Sequence, residues 1–363
     1  MIPAEYYQTI YLIIVSLMTL GVYNQYANRN GLREFKHSNL DIVAGGLALF
    51  MALFIGLRPV SVVFADMVNY ANWYEMFYEG VNFHFNWDED NLLFQNLITW
   101  WGSKRLGYTS FFVFVAAIYF GAAYLGLRKL FPNHRLTAFL VFLAAFSTFS
   151  YGTNGIKAGA ASSLFILALG YRDNLKICIP LILLSWGFHH SMIMPVAAFV
   201  VTLFLKNSKY YFAGWCFCFL MAAAHITVFA QLFAGATTEQ GTAYLMNELV
   251  EDDGTKGGFR IDFILYSSMP VLVGWYTIIK KKLHVSEMYQ NLLNLYLCLN
   301  GVWMLCMYAQ FTNRIAYLSW FLYPIVLIYP FLNEQWGKSR YKIFSWVMLG
   351  HLGFTLFMNL IFN

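Results

Sequence analysis

Residues 256–279 read KGGFRIDFILYSSMPVLVGWYTII, and the fold class turns on this stretch. Its second part, Ile264 to Ile279, is an apolar run long enough to enter a membrane. A polar, acidic loop precedes it, so Arg260 and Asp262 stand where water gives way to hydrocarbon. Two glycines just before them let the backbone turn freely. If residues 260–262 are extended, both charges face the same side; if they are already helical, the charges diverge. Taken alone, the pair is an arginine snorkelling to lipid phosphate and an aspartate capping a helix. Other charged residues gather at the same depth, and that makes the stretch worth following outward.

The whole chain has the same character. Of 363 residues 60% are hydrophobic and 20% aromatic, while only 11% are charged. A soluble domain carries roughly 25% charged residues, so the composition is that of an all-α polytopic membrane protein. No part of 1–363 reads as a separate soluble domain, so the chain reads as one integral membrane domain. Tyr6 to Ala27 has no basic stretch before it and no small-residue cleavage site after it, as expected of a retained span. The net charge of +5 is no sign of nucleic acid, because the cations lie in short loops between apolar runs. All five cysteines fall inside apolar runs, which predicts neither a disulfide nor a metal site.

Twelve apolar runs are long enough to cross, or nearly cross, a bilayer: 6–27, 40–57, 109–127, 136–151, 155–171, 176–188, 191–205, 211–232, 263–279, 288–309, 315–332 and 343–362. With the loop after the first run in the cytoplasm, alternate loops hold 16 of the 23 Lys and Arg residues. That asymmetry satisfies the positive-inside rule and puts both termini on the outer side. Two outer segments, 58–108 and 233–262, are too long to be connectors. In the first, Met67, Tyr70, Ala71, Tyr74, Phe77 and Tyr78 share one helical face, and Leu92 to Trp101 offers a second short helix. Both have the composition of helices lying in the membrane interface. The second is Gly- and Thr-rich, then acidic, and reads as a mobile lid. Chemistry is therefore expected on the outer face.

Lys157, Arg260 and Arg314 each fall at the outer end of an inward-running span, which is a helix N-terminus. The helix dipole is already positive there, so a cation is locally unfavourable. Three such placements suggest an anion between them, helped by backbone N–H groups. Arg58 closes a span at a C-terminus, where a cation is favoured anyway. Asp66 begins the first interfacial helix, as an N-cap or, set against Arg58 and Tyr70, as a group orienting a sugar hydroxyl or a cation. His189-His190-Ser191 occupies a tight outer turn; such a histidine is ordinarily a satisfied polar residue, but imidazole is also the side chain best suited to take a proton near neutral pH. Asp88-Glu89-Asp90 reads as a solvated acidic loop. There is no Gly-rich phosphate loop, no zinc-type spacing and no nucleophile elbow.

Several stretches, in order, resemble the EpsG family of membrane proteins. Phe54 to Arg58, then Asp66 to Tyr70 and Phe77, is similar to that family's R…D…Y…F opening. Asn154 to Lys157 resembles its N-x-I-R-Q stretch, with Lys157 and Ala158 in place of Arg and Gln. A lysine there presents a point charge rather than a bidentate fork. His189 to Ser191 resembles an H-x-S turn, Gly258 to Phe263 with Pro270 a G-F-R-x-D-F…P element, and Arg314 to Tyr317 with Tyr329 and Pro330 the closing R-I-A-x-Y…Y-P.

The resemblance implies assembly of bacterial exopolysaccharide or O-antigen, and likeness to Wzy-type polymerases and, more distantly, to GT-C-type ligases. It implies sugars on undecaprenyl pyrophosphate as both substrates, joined by inverting glycosyl transfer at the periplasmic face of the inner membrane. Arg260 and Arg314 would then hold the pyrophosphate, helped by Arg58 and Lys157. His189, or else Asp66, would act on the acceptor hydroxyl; Asp262, Tyr70, His190 and Tyr317 would support them. No metal or other cofactor is required, and a chain-length regulator is a further expected partner beside membrane lipids. The alternatives are an O-antigen ligase, a lipid-linked oligosaccharide flippase and a membrane O-acyltransferase. A flippase calls for charges lining a midplane cavity, and an acyltransferase for a polar route from the cytoplasm.

Overall fold

Each of the twelve apolar runs carries helix in the computed structural model, which describes residues 2–28, 37–78, 82–229, 258–309 and 312–362. In chain order the helices are α1 (Tyr6–Ala27), α2 (His37–Gly56), α3 (Met67–Tyr78), α4 (Leu92–Ser103), α5 (Tyr108–Leu130), α6 (Arg135–Leu143), α7 (Thr148–Thr153), α8 (Ile156–Gly170) and α9 (Leu175–Phe188). There follow α10 (Ile193–Phe204), α11 (Ser208–Ala223), α12 (Ile261–Trp275), α13 (Glu287–Leu305), α14 (Thr312–Trp320), α15 (Tyr323–Asn333) and α16 (Arg340–Phe362). They form two compact units, Met1–Met192 with Gly337–Asn363, and Ile193–Trp336. Most of the expected lid, including Glu251, Asp252 and Asp253, lies outside the described residues.

Among the described residues five helices are long and apolar enough to cross a membrane: Tyr6–Ala27, Tyr108–Leu130, Ile261–Lys280, Thr312–Asn333 and Arg340–Leu360. Asp41–Gly56, Ile156–Gly170, Leu175–Phe188 and His190–Phe204 are apolar but shorter. The all-α membrane class stands; a count of twelve spans goes beyond what these lengths carry. One expected boundary also moves. Run 136–151 is broken into α6 and α7, where Thr148 turns its hydroxyl back to the Phe142 carbonyl (2.6 Å), a bond that competes with the helical ladder. Run 315–332 remains one candidate span, Thr312–Asn333, with a turn at residues 321–322 between α14 and α15, where Pro324 has no N–H to give the carbonyl four residues back.

In the first unit the helices touch through their small residues, as expected where lipid offers no hydrophobic drive for association. A Cβ on Gly126 of α5 would stand 2.9 Å from the backbone carbonyl of Ile166 on α8, so only glycine allows that approach. The start of α2 is fastened by Asp41, which accepts from Tyr124 (2.6 Å), Arg135 (2.8 Å) and Arg128 (3.1 Å). The second unit is built around α13. Its Asn300 accepts from the Trp215 indole (2.9 Å) and donates to Ser319 (3.1 Å), tying α11 and α14 to it.

Candidate functional site

The candidate residues fall into two groups, one in each unit. In the first unit Asp66 immediately precedes α3, and its backbone N–H donates to the Asn154 side chain (3.1 Å). Asn154 ends α7, and Lys157 is the second residue of α8. The Lys157 ammonium lies 5.8 Å from the Tyr70 ring centre and 6.0 Å from that of Trp73, both on α3. Asp66, Tyr70 and Lys157 therefore share one neighbourhood, at the meeting of α3 with the α7–α8 turn. Of the six residues expected on one face of α3, Met67, Tyr70, Ala71 and Tyr74 are buried, Phe77 is half-buried and Tyr78 is exposed.

Arg58 belongs to the same region but faces inward. It is 3% exposed and donates to the carbonyls of Ile55 (2.7 Å) and Thr153 (2.6 Å), between the rings of Phe64 and Phe112. Burial lowers its pKa to about 9, which still leaves the guanidinium charged at neutral pH. Its Nε is buried with no hydrogen-bond partner among the described residues.

The histidine turn is held from the start of α4. His189 is the extended residue that ends α9, and His190 opens a single 3-10 turn. The His190 N–H donates to the Asn91 side chain (3.0 Å), one residue ahead of α4. Phe94 of α4 meets both Tyr70 (5.5 Å between ring centres) and Phe188 (6.2 Å), linking α3 to the residue next to His189.

In the second unit Arg260 caps the start of α12 with non-helical backbone, φ −85° and ψ 80°. Gly258, at φ +105°, makes the preceding turn in a region that only glycine enters readily. Because Arg260 is outside the helix, its side chain meets Asp262 instead of diverging: Nε to Oδ1 is 2.9 Å and Nη2 to Oδ2 is 2.5 Å. This bidentate fork is the strong form of an ion pair. The guanidinium also lies on the Phe263 ring, 3.6 Å from its centre. Arg314 is the third residue of α14 and is exposed; Tyr317, one turn on, is buried. The two helix starts lean on one residue, Trp303. Its ring is 6.4 Å from that of Phe263, and its N–H donates to Thr312, the first residue of α14 (2.9 Å).

Lys157, Arg260 and Arg314 thus all stand at helix N-termini, as the sequence predicts. No group of three metal-ligating side chains occurs among the described residues. A family model for the EpsG family matches residues 43–363. The chain belongs to the EpsG family. That family comprises Wzy-like polysaccharide polymerases, so membership suggests a glycosyltransferase-like polymerase in a membrane. Comparison with curated proteins and with solved structures finds no match. In this EpsG-family chain, sequence reading assigned no role to Asn154, Asn91 or Trp303. The Asn154-Gly155 pair is a turn signal that marks the first; nothing local marks the other two.

Proposed function

We propose that this protein polymerises lipid-linked oligosaccharide repeats at the periplasmic face of the bacterial inner membrane, in a GT-C-like fold of about twelve spans with both termini outside. The growing glycan leaves its undecaprenyl pyrophosphate and joins the non-reducing-end hydroxyl of a new lipid-linked repeat. The hydroxyl oxygen attacks the anomeric carbon from the face opposite the phosphate, forming the glycosidic bond with inversion. The carbon–oxygen bond to phosphate breaks, and its electron pair goes to the pyrophosphate. The hydroxyl proton passes to His189, with Asp66 as the second choice of base. Fixed cations stabilise charge that develops only as the bond breaks, and this is where electrostatic catalysis is strongest. Arg260 and Arg314 take that part, with Lys157 helping; Arg58, turned to carbonyls, acts by holding the α7–α8 turn that carries Lys157.

The observation that carries the reading is the Arg260–Asp262 fork at the start of α12. It fixes the direction of the Arg260 guanidinium beside the backbone N–H groups of a helix N-terminus, the two features that would receive a phosphate group. The scheme requires no metal. The test is reconstitution with the purified lipid-linked repeat, with and without chelator, and sizing of the products. Arg260→Ala and Arg314→Ala are expected to insert normally and to extend no chains. Normal-length polymer from both variants would remove the pyrophosphate site. Free polymer accumulating in a knockout, instead of single repeats on the final anchor, would point to a ligase.

A further inference from the structure

Asp66 sits on an awkward piece of backbone. Ala65, just before it, has φ +42°, the left-handed region that a residue with a Cβ enters only at a cost. Such a conformation persists where surrounding bonds over-determine it. Two bonds do so here. Ala65 N–H donates to the Val62 carbonyl (3.0 Å), and Asp66 N–H donates to Asn154 Oδ1 (3.1 Å). The second reaches across 88 positions of sequence to the turn that opens α8.

That turn is itself fixed on every side. The Asn154 N–H donates to Ser150 (2.8 Å) and its carbonyl accepts from Ile156 (2.9 Å). One residue earlier, the Thr153 carbonyl accepts from the buried Arg58 (2.6 Å). One residue later, a Cβ on Gly155 would stand 2.8 Å from the Tyr151 ring, so that ring packs closely over the turn. Asn154 is thus a rigid post with its amide oxygen presented to the Asp66 loop. Three residues on, Lys157 meets the rings of Tyr70 and Trp73, which follow Asp66 on α3. The carboxylate and the ammonium are each carried on a segment that this one amide joins.

We propose that Asn154 is a positioning residue: its side-chain carbonyl clips the Asp66 loop to the start of α8 and so fixes Asp66 relative to Lys157, with Arg58 anchoring the clip from behind. The role rests on the polymerase reading for its consequence in catalysis, but the clip can be measured without it. Asn154→Ala removes the acceptor; Asn154→Asp keeps an oxygen in the same place and serves as the conservative control. Amide hydrogen exchange over residues 64–70 of the detergent-solubilised full chain reads the clip directly. Exchange at Asp66 is expected to rise about fivefold or more in Asn154→Ala, the factor that one ordinary hydrogen bond supplies, and to return towards wild type in Asn154→Asp.

Chain extension from the purified lipid-linked repeat reads the consequence. There kcat is expected to fall about 10-fold to 100-fold in Asn154→Ala with KM nearly unchanged, as for a misplaced catalytic group, and to recover in Asn154→Asp. Unchanged exchange at Asp66 in Asn154→Ala overturns the clip. Faster exchange with undiminished kcat overturns the positioning role, as does an equal loss in both variants. Wild-type protein that extends no chains, while the exchange pattern holds, sinks the polymerase reading and the catalytic part of this one, but leaves the clip standing.

Discussion

Two glycines on α5, five residues apart, make the packing of the first unit quantitatively testable. At Gly121 an added Cβ meets nothing within 4 Å; at Gly126 it meets the Ile166 Cγ2 at 2.8 Å and that residue's backbone carbon and oxygen at 2.9 Å. Alanine at either site gains about 1 kcal/mol of helix propensity over glycine. At Gly121 that gain stands alone. At Gly126 the obstacle is backbone, so α5 and α8 must part by about 0.5 Å to reach ordinary contact, which forfeits a quarter or more of the dispersion energy along the seam. Overpacking of this kind costs about 1–3 kcal/mol. Gly121→Ala should therefore be neutral or more stable than wild type, and Gly126→Ala less stable than Gly121→Ala by about 1–3 kcal/mol. Thermal unfolding followed by tryptophan fluorescence, in a single detergent, ranks the three proteins. If Gly126→Ala unfolds at or above the midpoint of Gly121→Ala, the close approach of α5 and α8 is wrong.

Three more expectations follow from the ion pairs and the histidine turn. Asp262→Asn loosens the two-point hold on Arg260; with the Asp262 side chain 30% exposed, the loss is set at the low end, about 1–2 kcal/mol, and chain extension should slow about tenfold. Wild-type rates from that variant would show that Asp262 does not orient Arg260. Asp41→Asn takes away the carboxylate shared by Arg128 and Arg135 and should lower stability by about 1–3 kcal/mol, an effect that added salt reduces; an unshifted unfolding midpoint would count against the clamp. His189→Ala should cost about 100-fold or more if the imidazole is the base, and activity within a few-fold of wild type would assign it a bystander's place.

The family and the class of fold were legible without coordinates, because both are written locally. Helix follows from the composition of each apolar run, and all twelve runs do carry it, five of the helices among the described residues being long enough to span. Placement of Lys157, Arg260 and Arg314 at helix starts follows from the same reading, since a span's end is visible wherever apolar residues give way to polar ones. Where the reading erred in detail, at 136–151, a hydroxyl turned back on the ladder broke a run whose hydropathy is continuous. Hydropathy counts side chains; it does not see a backbone bond withdrawn.

What each cation touches was decided by tertiary structure. Arg58 and Lys157 are each a single positive residue at the edge of an apolar run, one at a helix end and the other at a helix start. One is sealed against two carbonyls and two rings, and the other rests on the aromatic face of α3. The bonds that separate them span large gaps: 95 positions from Arg58 to Thr153, 88 from Asp66 to Asn154, 99 from Asn91 to His190. A helix repeats every few residues and so announces itself along the chain, whereas a side chain's partner is chosen by which distant turn the packing brings beside it. At Arg260 the two levels meet, because the residue that holds it lies two positions away and its orientation depends on where α12 begins.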